Sequence, residues 1–121
     1  MNHIDLPHDH GTRTLAFIEN MPEFSTFEKT AGTFSLLSDP VRVKMLWLLC
    51  HTEDCVANIA ATMEMSSPAV SHHLKILKQA GILTTSKHGK EVWYTLADTH
   101  DAQMVHHIVD IIFDLNCKER Y

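Results

Sequence analysis

A chain of 121 residues that is 45% apolar has the size and composition of a single globular domain, not of a fibrous or disordered protein. No apolar run approaches the roughly 18 residues that span a bilayer, and Met1-Asn2-His3-Ile4-Asp5 lacks the basic and apolar regions of a signal peptide. Three cysteines, Cys50, Cys55 and Cys117, make no secreted disulfide framework, so a cytoplasmic location and no membrane partner are expected. The net charge of −5 argues at first against a nucleic-acid partner. Its distribution reverses that argument: residues 66–93 hold Lys75, Lys78, Lys87 and Lys90 against Glu91 alone, a local +3 in a chain whose remainder is −8.

Residues 1–12 are polar and carry His3, His8 and His10, which predicts a flexible arm ahead of one domain over 13–121. A first helix is expected at Thr14–Asn20, closed by Met21-Pro22, and a second at Phe27–Leu37, capped by Ser25 or Thr26 and weakened by Gly32. Asp39-Pro40 is a helix start, with Asp at the cap and Pro in the first turn. The helix that follows is apolar on most sides through Val41, Val43, Met45, Leu46, Leu48 and Leu49, which marks it as a central core element. His51-Thr52-Glu53-Asp54 reads as a connecting loop.

The segment from Val56 to Ala97 carries the strongest signal. Val56–Glu64 predicts a short helix that uses Val56, Ile59, Ala60 and Met63 as its apolar side. Ser66-Ser67-Pro68 caps a further helix that runs to Ala80 and stops at Gly81. At 100° per residue Val70, Leu74 and Leu77 share one face, with His73 and Ala80 on its flank, while Ser71, His72, Lys75, Lys78 and Gln79 lie opposite. Alternation in Ile82–Ser86 and Val92–Leu96 around His88-Gly89-Lys90 predicts a hairpin. Two helices, a tight turn and a basic hairpin in succession build a winged helix-turn-helix: residues 55–81, then a wing at 82–97. A last helix from Asp98 or Thr99 to Asn116 carries too many apolar residues for one thin stripe, so it is expected at a dimer seam, with the N-terminal helices as a second dimerisation element.

Leu-Leu-Ser-Asp-Pro-Val-Arg at 36–42, Ser-Pro-Ala-Val-Ser-His-His-Leu-Lys-Ile-Leu-Lys at 67–78 and Gly-Lys-Glu-Val-Trp-Tyr-Thr-Leu at 89–96 together resemble the ArsR/SmtB family of winged-helix repressors, over about residues 30–116. The resemblance implies a mainly α, dimeric fold with a two-stranded wing. It also implies a homodimer on palindromic double-stranded operator DNA, which keeps RNA polymerase from the promoter indirectly until an inducer, usually a metal ion, releases it. Short polar groups at Ser66, Ser67, Ser71 and His72 suit base edges and phosphates, Lys75 and Lys78 suit the backbone, and Lys87, His88 and Lys90 suit contacts from the wing. His73 is expected to be a packed residue. No Ser-His-Asp set, phosphate loop or paired-carboxylate pattern occurs, so an enzyme is not expected; a winged-helix module that binds protein instead of DNA is the other class.

Ten histidines raise the question of what is sensed. The family's site on the last helix is written Asp-x-His, ten residues, then His-x-x-Glu or His, shared between subunits. Asp98 and His100 match its first half, whereas Ile111 stands where His is required and Asp114 stands at the last position. Antiparallel pairing of two such helices would bring Asp110 towards His100 or Asp101 of the other copy, set Asp110 and Asp114 on one face, and put His106 near the two-fold axis. Asp98, His100, Asp110 and Asp114 are therefore one candidate set for a divalent ion such as Zn, Ni, Co or Cd. The family's second site, Cys-Val-Cys at the start of the short helix, is reduced here to Cys55-Val56-Ala57, and His8 and His10 are candidate partners for Cys55. Some relatives sense oxidants or reactive sulfur through paired thiols, for which Cys50 and Cys117 are the candidates.

Overall fold

The computed structural model describes residues 5–114. The chain divides into two compact units, with the boundary between Gly32 and Thr33, beyond the arm boundary expected at residue 12. The first unit carries helix α1 (Thr12–Glu19) and most of α2 (Phe24–Leu36), and no residue of either helix is buried. α2 starts earlier than its composition predicts, so Ser25 and Thr26 lie in its first turn and do not precede it.

The second unit continues with α3 (Pro40–Leu49), β1 (Asp54–Cys55), α4 (Val56–Met63), α5 (Ser67–Gln79), β2 (Leu83–His88), β3 (Glu91–Leu96) and α6 (His100–Ile112). The cap of α3 forms as its sequence predicts: the Asp39 carboxylate accepts from the backbone N–H groups of Val41 (2.8 Å) and Arg42 (3.4 Å), and Pro40 opens the helix. Arg42 then reaches back, its Nε donating to the Leu36 carbonyl at 3.0 Å, which satisfies an acceptor at the end of α2.

Met45, Leu46 and Leu49 of α3 are buried at the centre, packed with Ile59 of α4 and with Val70, Leu74 and Leu77 of α5. Each such side chain stabilises the fold by about 1.5–3 kcal/mol through lost apolar exposure. Ile82, Leu83, Tyr94, Val105 and Val109 complete the same core cluster.

The turn from α4 to α5 uses Glu64 in the left-handed region (φ 56°), closed by Met65 N–H to the Ala60 carbonyl at 3.0 Å. α5 ends on Gly81 (φ 79°), where the Ile82 N–H returns to the Leu77 carbonyl at 3.0 Å. β2 and β3 pair antiparallel from Leu83↔Leu96 to His88↔Glu91, leaving Gly89 and Lys90 as a two-residue turn. The sheet has a third strand that the sequence does not announce. Asp54 and Cys55, expected in or beside a loop, pair with Tyr94 and Trp93, giving the order β1-β3-β2. A two-residue strand is too short to carry an alternating pattern, so only its partner reveals it. No helix of the described residues is long and apolar enough to cross a membrane.

Candidate nucleic-acid interface and ligand cluster

α5 is amphipathic as expected, and burial decides which side is offered outward. Val70, Leu74 and Leu77 lock its inner face into the core, while His72, Lys75, Lys78 and Gln79 are exposed and Ser71 is half-buried beside them. Ser66 and Ser67 are exposed at its N-terminus, and the Ser66 hydroxyl oxygen accepts from Ala69 N–H at 3.3 Å. That oxygen caps the helix, so Ser66 offers a ligand chiefly its hydroxyl proton. His73 is half-buried on the core flank, the packed position expected for it.

Lys87, His88 and Lys90 are exposed at the wing tip. His88 is held in place, its ring stacked on Trp93 with centroids 4.4 Å apart and its Nε2 2.9 Å from the Ser86 hydroxyl. The wing thus presents two exposed cations beside an imidazole held by its neighbours, and it follows α5 with its exposed polar positions.

α6 is tied to α5 through Thr99. Its hydroxyl oxygen accepts from Ala102 N–H at 3.0 Å, capping α6, while the hydroxyl donates to the Gly81 carbonyl at 2.7 Å. One side chain therefore joins the start of α6 to the end of α5.

The residues proposed from sequence as metal ligands do not come together within the chain. Asp98 and Asp114 are exposed, and the His100 side chain is 95% exposed. Asp110 is instead buried, 6% exposed, and turned inward. Asp114 lies beyond the end of α6 with φ of 52°, so it does not share a face with Asp110 at helical spacing. His106, placed by the antiparallel argument near a two-fold axis, is 2% exposed within its own chain. Ile111, 65% exposed, stands where the family's site needs an imidazole, and an alkyl side chain ligates nothing. The family's four-ligand set is therefore incomplete here.

Cys55 is buried in β1 at the head of α4, and Ala57 cannot replace the second thiolate of the family's pattern. His8 and His10 lie in the first unit, exposed, with ring centroids 6.0 Å apart. Cys50 is 1% exposed, which denies it the accessibility a reactive thiolate needs. Cys117 lies outside the described residues.

A different cluster does assemble. His51, at the foot of α3, places Nε2 2.8 Å from Oδ1 of Asp110 on α6, and His106 places Nε2 3.4 Å from Oδ2 of the same carboxylate. The two rings meet edge to face at 5.4 Å, and one ligand atom from each residue lies within 4.8 Å of the others. Sequence reasoning does not pair His51 with His106, because one reads as loop and the other as helix surface; the i, i+4 spacing of His106 and Asp110 is the available signal.

The model of the bacterial regulatory proteins of the arsR family matches residues 39–85, the segment from the cap of α3 into the wing. A transcriptional repressor SmtB homologue from Synechocystis is 36% identical over 83 residues, 69% of this chain and 63% of the relative. The transcriptional repressor SdpR of Bacillus subtilis is 39% identical over 68 residues, 56% of this chain and 76% of the relative. The chain belongs to the ArsR/SmtB family. Among solved structures, the transcriptional repressor BigR of Xylella fastidiosa superposes with a TM-score of 0.66 at 26% identity, covering 80% of this chain and 92% of that one. ArsR proteins are regulators and not enzymes. The match extends over less than two thirds of the Synechocystis protein, and the arsR-family match at 39–85 contains the helix-turn-helix described above.

Proposed function

We propose that this ArsR-family chain is a dimeric transcriptional repressor that binds palindromic operator DNA and is released by a divalent metal ion. One observation carries the reading: in a chain of net charge −5, the cationic side chains Lys75, Lys78, Lys87 and Lys90 are exposed together on α5 and the wing, while the opposite face of α5 is locked in the core. A helix so held inserts its polar side into a major groove, with lysines neutralising phosphates on either side.

Dimerisation is supported by apolar surface. Ile111 and Ile112 on α6 are 65% and 68% exposed, and with Phe113 they leave an apolar strip at the end of that helix. A groove of about 660 Å³ between α3 and the end of α6 is lined by Leu37, Val43, Trp47 and Phe113. A second copy covering this surface would set two α5 helices for grooves about 34 Å apart. A small rotation at the seam then costs both half-sites their fit, a coupling typically worth about 1–3 kcal/mol. The names of its relatives, a repressor and an SmtB homologue, support the same reading.

The test is fluorescence anisotropy of the full chain on its own upstream DNA, with and without Zn, Co, Ni, Cd or a persulfide donor. Replacing Ser71→Ala together with His72→Ala is expected to abolish specific binding while sedimentation and circular dichroism stay unchanged. Specific affinity retained in that double variant would remove α5 from its role. Absence of any DNA binding would point to a protein-binding module, and release by the persulfide alone to thiol sensing.

A further inference from the structure

We infer that His51, His106 and Asp110 form a binding site for a borderline divalent transition ion, Zn²⁺ or a close neighbour, contained within one chain. The inference rests on the inducer reading above only for its regulatory consequence; the site itself stands on the geometry that follows.

The hydrogen bonds of His51 set one ring nitrogen against a backbone carbonyl and the other against a carboxylate oxygen. Its Nδ1 lies 2.7 Å from the Trp47 carbonyl, and a carbonyl only accepts, so Nδ1 carries the proton and donates. In the neutral ring the lone pair is then on Nε2, which lies 2.8 Å from Oδ1 of Asp110. At that distance a proton is shared between the two atoms, and a metal ion that took its place would hold both as ligands from one side, with the pair parting to the spacing given below.

Everything around the pair suits the ion. His106 contributes a second Nε2 at 3.4 Å from the other oxygen of the same carboxylate, so two imidazoles converge on one acid. The Nδ1–H to Trp47 contact is the outer hydrogen bond that holds a ligating imidazole in its tautomer. Bonds of about 2.1 Å at tetrahedral angles set donor atoms about 3.4 Å apart. The donor atoms here all lie within 4.8 Å of one another, with pairs at 2.8 Å and 3.4 Å, a range that includes that value. Two nitrogens and a carboxylate favour Zn²⁺, Co²⁺ and Ni²⁺ over the thiophilic Cd²⁺, and three protein ligands leave a position for water.

The location gives the ion leverage. His51 follows the end of α3, the helix that packs on α4, while His106 and Asp110 belong to α6, whose start is bonded through Thr99 to the end of α5. An ion held here clamps the foot of α3 to α6, and so biases the angle at which both elements hold α5. This route needs neither Ile111 nor a second subunit's ligands.

The experiment uses reduced, chelator-treated full-length protein titrated with Co²⁺ and, in competition with a chromophoric chelator, with Zn²⁺. The expected result is one ion per chain, with Co²⁺ ligand-field bands and no near-ultraviolet thiolate charge-transfer band. His51→Gln and Asp110→Asn should each weaken binding by at least about 100-fold, since even outer hydrogen-bond partners of ligands are worth about 10–100-fold. The double variant Asp98→Ala with His100→Ala should bind as the native chain does. His51 is half-buried at a helix end, and circular dichroism of His51→Gln checks that it folds; the native Co²⁺ spectrum decides even if Asp110→Asn does not. No binding by the native chain at micromolar ion, a thiolate band, or affinity unchanged in His51→Gln and lost in Asp98→Ala/His100→Ala would each overturn the site. DNA affinity measured on the same ion-free samples separates the two readings: its absence overturns the repressor reading and leaves the titration to judge the site.

Discussion

Lys87 and Lys90 lie at the wing tip, exposed, and a lysine on a phosphate acts through counterion release, not through sequence. Replacing both by Ala is expected to weaken binding about equally on operator and non-operator DNA. The slope of log K against log salt should become shallower by about 0.9 for each phosphate that is no longer neutralised, read by anisotropy across a salt series. Ser71 and His72 differ in kind, because their loss should act on specificity. Asp39 shows the same division between charge and geometry. Desolvation pulls its carboxyl upward, but the N–H groups of Val41 and Arg42 and the Arg42 charge outweigh it and hold the group below the ordinary carboxylate value. A lowered carboxyl contributes stability that is present above its unfolded value, about 3.9, and is lost as pH falls through the folded value. Asp39→Asn should keep the cap at neutral pH and flatten this acid limb, whereas Asp39→Ala should lower the melting temperature throughout; thermal melts from about pH 2.5 to about pH 7 distinguish them. These single-residue roles were legible in the sequence, because a cap or a solvated lysine depends on neighbours within a few positions. The contact between His51 and Asp110 spans 59 residues and leaves no local trace.

At the scale of elements, the join between α6 and α5 passes through Thr99. Thr99→Ala removes a helix cap and the bond to the Gly81 carbonyl, and should cost about 1–2 kcal/mol in urea denaturation. Thr99→Ser, which keeps the hydroxyl, should recover most of that. If Thr99 also carries the inducer's effect, the alanine variant will bind the ion normally and release DNA less completely. The opposite kind of change is available at Glu64, where a non-glycine residue holds the left-handed turn before α5. Glu64→Gly should stabilise the chain by about 0.5–1 kcal/mol, because the Cβ clash of that conformation disappears and the turn retains its bonds. Helix and wing positions could be read from periodicity and caps, to within a few residues. β1 could not, since a two-residue strand exists only through Trp93 and Tyr94 opposite it.

At the scale of the whole molecule, a chain of this size carries an apolar strip that its own core leaves uncovered. Ile112 is 68% exposed, so Ile112→Glu should leave the fold unchanged and prevent association, giving a monomer in sedimentation velocity. Operator affinity should then fall by roughly 10²–10⁴-fold, the factor that joining two half-site contacts contributes. A dimer that persisted in this variant would move the seam away from the end of α6.

The order of residues alone determined the helix-turn-helix, its caps at Asp39 and Ser66, its stop at Gly81 and the cationic side of α5, because each depends on spacing along one element. Tertiary structure decided which acids and histidines meet. Asp110, readable from sequence as a seam ligand for His100, turns inward to His51 and His106, since the rotation of α6 about its axis is set by Val105 and Val109 entering the core. A helical pattern specifies which residues share a face; only packing specifies what that face meets.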